Sequence, residues 1–172
     1  TAKKDFNQLL KDQFGIEKLV TDVGNNQVYL DDQLIIDNKL DAEKVKQTLL
    51  DYLNRDPSVL FAVDMKKAGS SSVPEPIKTR IVNGYNWQRS GDIQIIFHDS
   101  WLPSYAKKGT THGSWNSYDS HISLIFMGWG IKNGESNKEY NMTDIAPTLS
   151  SLLRVQFPSG NIGNPIVEVI GK

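Results

Sequence analysis

The sequence predicts an α/β protein, or an α+β arrangement when the chain is considered in isolation. Two observations predict this class. Runs with a continuous apolar centre, such as SVLFAVDM and HISLIFMGWGI, are typical of buried strands. These runs alternate along the chain with segments whose apolar residues recur at helical spacing. Alternating strands and helices indicate a layered architecture in which helices cover a sheet.

The N-terminal part predicts helices beside a small antiparallel meander. Residues 3–14 carry apolar side chains at helical spacing, and Gly15 follows as the stop signal. Three β-type runs come next, KLVTDV, QVYLD and QLIID, separated by the turn sequences GNN and DD. Asp41 is the expected N-cap of a helix over AEKVKQTLLDYLNR, whose apolar residues form one stripe. The buried strand SVLFAVDM completes this part.

The C-terminal part combines strands, helices and one long loop. GSSSVPEP is a solvated loop, and IKTRIVNGYN predicts a short helix. DIQIIFH predicts a strand in which Ile93, Ile95 and Phe97 alternate with polar partners. HISLIFMGWGI predicts another buried strand, and TDIAPTLSSLLRV predicts a helix with Pro147 in its first turn. The tail PIVEVIG predicts an edge strand.

Composition excludes several classes of function. The 19 basic and 20 acidic residues leave a formal charge of -1, which gives no global attraction to nucleic acid or to an anionic membrane surface. No stretch approaches the roughly 18 consecutive apolar residues of a membrane span. The absence of cysteine excludes disulfides, thiolate catalysis and cysteine-based zinc sites. Because the chain begins at Thr1, we expect a removed leader or a start inside a longer protein.

The loop over residues 99–120, between two predicted strands, concentrates the candidate chemistry. Loops of this length are usually functional or mobile, and its Trp and Tyr residues argue against simple disorder. The loop contains His112, and His121 follows just beyond it; these are two of the chain's three histidines. A glycine lies on each side of the Thr-Thr-His triplet that contains His112. Imidazole is a common ligand of divalent transition metals, and glycine lets the backbone approach a metal or an oxyanion. Trp115 and Trp129 are expected to be core or loop-clamping aromatics.

Other residues of this region allow a functional and a structural interpretation. Asp119 and His121 are separated by one residue at the start of a predicted strand, so their side chains share one face of that strand. There the carboxylate can orient a metal ligand or act as a ligand itself. Lys107 and Lys108 add positive charge that an anionic substrate can use. The structural alternative is an Asp-capped turn, a half-buried imidazole and a solvated lysine face. His98 is expected to be structural.

The motifs of the loop and of the segment after it carry a family resemblance. The chain has GTTHG over residues 109–113, DSHI over 119–122, TDIAPTL over 143–149 and GNPI over 163–166. They resemble the signatures G-T-x-H-G, D-x-H-x-P-L-x-F, T-D-I-A-P-T-L and G-x-P-I at the C-terminal end of the alkaline phosphatase superfamily. The most similar branch is the phosphate-irrepressible alkaline phosphatases, relatives of the nucleotide pyrophosphatase/phosphodiesterases. Ser123 departs from the family proline but removes no ligand.

The resemblance implies a fold and an activity. Residues 1–70 would form a small α+β excursion, and residues 71–172 the C-terminal α/β portion of a phosphatase α/β/α sandwich carrying the GTTHG loop. The activity implied is zinc-dependent phosphohydrolysis, in which a Thr or Ser oxygen attacks phosphorus and two zinc ions steady the entering and leaving oxygens. His112 inherits the role of a zinc ligand. Supporting roles in the loop fall to Thr110, Thr111, Asp119 and His121.

The sequence lacks the rest of that machinery. Two tetrahedral zinc ions need about six protein ligands, whereas no Asp-His-Gly, no D-x-x-x-H and no nucleophile motif occurs here. We therefore expect the C-terminal portion of a phosphatase acting on phosphate monoesters, inactive by itself. Two alternatives stay open: a mononuclear metal site of His112, His121 and Asp119, and a non-catalytic module binding an anion or partner through Lys107 and Lys108. Phosphodiesterase or nucleotide pyrophosphatase specificity is open too.

The resemblance also sets expectations about partners and location. The parent enzyme would take a phosphate ester as substrate, without a nucleic acid or membrane partner, and would be periplasmic or secreted, as is the habit of the family. Considered alone, the apolar run LIFMG would lack its neighbouring parallel strands. The isolated chain is therefore expected either to close on itself or to self-associate.

Overall fold

The computed structural model describes residues 2–101 and 112–170. The chain divides into two compact units, Thr1–His121 and Ile122–Lys172. Short 3₁₀ helices occupy Met65–Ser70 and Met142–Asp144. The other elements, in chain order, are α1 (Ala2–Phe14), β1 (Val20–Gly24), β2 (Gln27–Leu30), α2 (Asp32–Asp37), α3 (Ala42–Leu53), β3 (Val59–Asp64), α4 (Ile77–Gly84), β4 (Ile93–Phe97), α5 (Ser117–Ser120), α6 (Ile145–Leu153) and α7 (Val167–Ile170).

The first unit is built on a sheet. Its described residues contribute four strands in the order β1-β2-β4-β3, with every neighbouring pair antiparallel. Asn25 and Asn26 form the turn between β1 and β2 with φ of 51° and 58°, a left-handed conformation that asparagine tolerates and that tight hairpins require. The GNN turn and the flanking strands are thus confirmed. The predicted division at residue 70 refers to a longer enzyme and stays a prediction.

Both faces of β4 are buried because helices cover the sheet on each side. Ile93 and Ile95 join a cluster with residues of α1 and α3. Ile96 faces the opposite way, into a second cluster with residues of β3, the first 3₁₀ helix and α4. The predicted alternation with polar partners therefore holds only in part. Gln94 is buried as well, and its amide donates to the carbonyl of Asn26 at 3.1 Å.

The prediction of a strand over QLIID is wrong, since these residues form α2. Asp31 supplies the reason. Its carboxylate accepts a hydrogen bond from the backbone N–H of Leu34 at 2.9 Å, which makes Asp31 the N-cap of a helix. The DD pair interpreted as a turn is thus a helix start, and the short apolar run that follows is one turn of amphipathic helix with Ile35 buried.

Two further strand predictions are wrong in the second unit. The segment HISLIFMGWGI forms no strand, and Ile125 and Met127 are 84% and 94% exposed. A strand needs a partner for its backbone hydrogen bonds, and among residues 2–101 and 112–170 none pairs with this run. The tail PIVEVIG forms α7, in which Val169 and Ile170 donate to the carbonyl of Ile166. No helix of the described ranges has the length and apolar character needed to cross a bilayer.

Hydrogen bonds join the TDIAPTL and GNPI segments in the second unit. The buried carboxylate of Asp144 accepts from the backbone N–H of Asn141 at 2.9 Å and of Asn164 at 2.8 Å. The buried Thr148 hydroxyl donates to the carbonyl of Asp144 and accepts from the N–H of Ile166 at 2.9 Å. These motifs therefore hold α6 and the tail together in this unit, and their polar side chains serve the backbone.

Candidate functional site

His112 opens the described part of the loop that follows β4. Its side chain is exposed, so the ring is not locked into either hydrophobic cluster of the first unit. An exposed imidazole on a loop is available to a metal, which a ring packed into a core would not be. Four other residues predicted for the site lie outside the described residues: Lys107, Lys108, Thr110 and Thr111.

Asp119 contacts the backbone next to His112. The N–H of Ser114 donates to Asp119 Oδ2 at 2.5 Å. This bond is the main cause that lowers the pKa of Asp119. The Ser114 hydroxyl, the Gly113 amide and the electrostatic interaction with His112 lower this pKa further, while desolvation raises it. One carboxylate thus interacts with three successive residues of the loop. These contacts hold the backbone beside His112, and the role of Asp119 as support of a zinc ligand stays a prediction.

Aromatic side chains fix the same stretch at two more places. The half-buried ring of Trp115 packs against the second hydrophobic cluster. The hydroxyl of Tyr118, on α5, accepts hydrogen bonds from the N–H of Ser100 at 3.3 Å and from the Asn116 side-chain amide at 2.9 Å. Because Ser100 precedes the undescribed residues and Tyr118 follows them, this hydroxyl connects the two ends of the loop.

The other histidines of the chain lie apart from such a network. His121 ends α5, where its N–H donates to the carbonyl of Ser117 at 2.9 Å, and its side chain is exposed. His98 follows β4, its N–H donates to the carbonyl of Ser58 at 3.0 Å, and its side chain is also exposed. Neither the predicted support by His121 nor the structural role of His98 is decided by these positions, and both stay predictions.

The described residues do not complete a zinc site. In the part of the chain that the structure describes, no three histidine, aspartate or glutamate side chains converge in an arrangement that could hold a metal ion. His112, His121 and Asp119 are all within that part, so the structure does not assemble them into the mononuclear site considered above. What the loop offers is a single imidazole donor on a braced backbone.

Some residues of this network carried no signal in the sequence. Asn116 and Ser100 were not singled out, and Tyr118 was noted only among the aromatic residues of the loop, because a hydroxyl that links two loop ends leaves no periodicity or motif. The available hint was the density of aromatic residues in the loop. For Trp115 the sequence allowed a core or a loop-clamping position, and the structure places the ring against the second cluster.

Comparison with known proteins finds alkaline phosphatases that are similar to this chain. The chain is 56% identical over 170 residues, 99% of its length, to alkaline phosphatase PafA of Elizabethkingia meningoseptica. It is 47% identical over 169 residues to alkaline phosphatase PhoV of Synechococcus elongatus, and 46% identical over 169 residues to a Myroides odoratus protein named calcium-transporting ATPase. The crystal structure of wild-type PafA superposes on 98% of the chain with a TM-score of 0.95. Over almost its whole length, the chain is therefore similar to one part of these alkaline phosphatases.

The alkaline phosphatase resemblance inferred from GTTHG, TDIAPTL and GNPI is therefore confirmed, together with the predicted α/β class. No protein-family model matches the chain. The alignments cover 31% of PafA, 30% of PhoV and 31% of the Myroides protein, and the superposition covers 32% of the PafA crystal structure. The chain thus spans less than a third of the length of these relatives. A PafA variant with four substitutions superposes equally well, with a TM-score of 0.94.

Proposed function

We propose that this chain contributes His112 as one ligand to the zinc site of an alkaline phosphatase that hydrolyses phosphate monoesters. The nucleophile and the remaining ligands are supplied by polypeptide outside these 172 residues. The observation that carries the proposal is the 56% identity to alkaline phosphatase PafA over 99% of the chain, although the chain covers only 31% of PafA. The exposed position of His112 supports it, because a shared ligand must reach a metal held largely by other residues.

An exposed apolar run gives the proposal further support. It comprises the large side chains between residues 122 and 129, and soluble proteins rarely leave such a contiguous run uncovered. In a longer phosphatase, additional polypeptide would cover these side chains and pair with their backbone. The most exposed members are Ile122 at 60%, Ile125 at 84%, Met127 at 94% and Trp129 at 84%.

The isolated chain is expected to be inactive. Structural and catalytic zinc sites use three or four protein ligands, and within residues 2–101 and 112–170 no three candidate ligands converge. Purified chain should therefore hydrolyse no p-nitrophenyl phosphate above background and should carry no stoichiometric zinc by elemental analysis. Zinc-dependent turnover by the pure chain would overturn this part of the proposal.

Substitution of His112 in the complete phosphatase tests the assignment directly. His112→Ala should lower the zinc content by about one ion per two-zinc site and reduce kcat by at least about a hundredfold, since metal ions stabilise the charges of phosphoryl transfer. His98→Ala is the matched control, because this side chain is exposed in the same unit, and His121→Ala tests the supporting role predicted for His121. Unchanged zinc content in His112→Ala would refute the assignment, and equal zinc loss in His121→Ala would favour a role for both histidines.

The alternatives differ from the proposal in what they bind. A non-catalytic module would bind phosphate or a protein partner in the presence of a chelator, through Lys107, Lys108 and the aromatic loop. A phosphodiesterase or nucleotide pyrophosphatase would prefer bis-p-nitrophenyl phosphate to the monoester in the complete enzyme. The same proposal includes a periplasmic or secreted location and no nucleic-acid or membrane partner. Fractionation of cells expressing the complete protein tests the location.

A further inference from the structure

The backbone beside His112 is attached to the first unit through Trp115. The ring of Trp115 packs against the second hydrophobic cluster, which contains Ile96 of the central strand β4. Aromatic rings bury a large area with few rotatable bonds, so they make rigid anchors. His112 and Trp115 are three residues apart, a span of at most about 10 Å for an extended chain. A fixed Trp115 therefore restricts the volume that the imidazole can reach.

Asp119 shortens the free part of this tether. Its carboxylate accepts the Ser114 N–H at 2.5 Å and also interacts with the Gly113 amide. Gly113 has φ of 93°, a conformation that glycine adopts easily. Hydrogen bonds to the Asp119 carboxylate thus hold the short segment between the imidazole and the anchor. The Tyr118 hydroxyl, bonded to the Ser100 N–H, closes the base of the loop.

We propose that Trp115 is a positioning residue for His112, and that Asp119 holds the segment between them. A donor to a metal must be held in place by its surroundings, because a loose ligand pays an ordering cost each time it binds. The link from β4 through Trp115 to His112 provides this support. The inference rests on the proposed function, which makes His112 a metal ligand. The anchoring itself rests on the packing of Trp115 against the second cluster.

Hydrogen exchange in the 172-residue chain tests the anchor without any metal. Trp115→Ala should accelerate exchange of the backbone amides over residues 112–116 by about tenfold or more. The reason is that this segment opens more often when the Trp115 ring no longer attaches it to the second cluster. Trp115→Phe retains an aromatic ring and should restore most of the protection. Ile81→Ala is the matched control, since it removes a buried side chain from the same cluster. Ile81→Ala should lower the melting temperature. The exchange rate at residues 112–116, compared with that of amides exposed only by global unfolding, should stay unchanged.

Zinc affinity in the complete phosphatase tests the consequence. Chelator competition should give a zinc dissociation constant about tenfold higher for Trp115→Ala, as expected when support of a metal ligand is lost. Trp115→Phe should recover most of the affinity, and Trp87→Ala, at an exposed ring outside the 122–129 run, should leave it unchanged. Exchange and affinity that both stay at wild-type values in Trp115→Ala would overturn the inference. Faster exchange with unchanged zinc affinity would also overturn it, as would equal effects from Ile81→Ala.

These outcomes are separable from those of the proposed function. If His112→Ala retains its zinc, the proposed function fails, whatever the exchange experiment reports for the loop. If His112→Ala loses zinc while Trp115→Ala behaves as wild type, only the positioning inference fails. Circular dichroism of each variant identifies any protein that does not fold. If Trp115→Ala does not fold, Trp115→Leu, which removes the ring and keeps an apolar side chain, replaces it with the same expected and contradicting results.

Discussion

At the scale of single residues, Gly163 shows how closely the GNPI and TDIAPTL segments of the second unit approach each other. A Cβ at this position would lie 2.1 Å from the carbonyl oxygen of Thr143 and 2.7 Å from the N–H nitrogen of Asp144. Both are backbone atoms, which cannot swing aside as a flexible side chain can. Glycine is therefore required here by steric contact with the TDIAPTL backbone.

Gly163→Ala should destabilise the second unit by about 3 kcal/mol, the upper part of the usual range for overpacking. The expected cause is separation of the GNPI segment from Asp144 and Thr148, whose bonds to Asn164 and Ile166 would break. Urea unfolding gives the free energy, and exchange of the Ile166 amide reports the bond itself. Gly160→Ala is the control, because no atom lies within 4 Å of the added methyl. Equal stabilities for the two variants would contradict the steric argument.

Asp92 is a residue that makes the chain less stable when it is charged. Burial is the main cause that raises its pKa, and Asp32 raises it further, while the Leu30 N–H at 2.9 Å and the charges of Lys66 and Lys46 lower it. A carboxyl with a raised folded-state pKa contributes stability below its unfolded pKa, and this contribution is lost as the pH rises through the folded value. The ionised form at neutral pH is therefore the unfavourable one.

Asp92→Asn should consequently be more stable than wild type at neutral pH, because the amide oxygen still accepts from Leu30 and no charge is buried. The advantage should shrink as the pH falls through the raised folded-state pKa and reach its minimum below 3.8, the ordinary aspartate value, where the carboxyl is protonated in the folded and the unfolded chain. Urea midpoints over a pH series measure this difference. Asp12→Asn, an exposed aspartate on α1, should show no such gain. A variant less stable than wild type at neutral pH would contradict the prediction.

At the scale of elements, local chemistry decided most of the fold and long-range pairing decided the rest. The hairpin β1–β2, the helix capped by Asp41 and the strands β3 and β4 were all predictable, since turn residues, caps and apolar runs are written locally. QLIID failed because the side chain of Asp31 caps a helix, a competition that a strand pattern does not reveal. HISLIFMGWGI failed because apolar content does not specify whether a pairing partner is present.

The candidate site divides in the same way. His112 and Asp119 were identifiable because a short motif surrounds each of them. The contact of Trp115 with the second cluster was not fixed in advance, because it joins residue 115 to residues 63–96 through the tertiary fold. Residues at such sequence separations leave no common periodicity. Motif reasoning therefore finds a candidate ligand, while the residues that contact its backbone are found only in the three-dimensional structure.

The N-cap of α2 permits a test at this scale. Asp31→Ala should destabilise the chain by about 1 kcal/mol, because the Leu34 N–H loses its acceptor. Asp31→Asn retains a side-chain oxygen at the same place and should be close to wild type. Urea unfolding measures both variants. Equal losses for alanine and asparagine would indicate that the charge of Asp31, and not its hydrogen bond, matters.

At the scale of the whole molecule, the exposed apolar run of residues 122–129 should govern association of the isolated chain. We expect concentration-dependent self-association in sedimentation equilibrium, since the chain has few other ways to cover Ile125 and Met127. Ile125→Glu with Met127→Glu should restore a monomer. Ile36→Glu, at an exposed apolar residue of the first unit, should not. A wild-type chain that stays monomeric at all concentrations would contradict this expectation.

The account as a whole depends on a bond between the ring of His112 and a metal ion. NMR observes that bond directly in the complete phosphatase when zinc is replaced by an NMR-active cadmium isotope. The histidines are labelled with an NMR-active nitrogen isotope. The account predicts a scalar coupling between cadmium and a ring nitrogen of His112, assigned by its loss in His112→Gln. A fully loaded enzyme in which the His112 signals show no coupling to cadmium would contradict it.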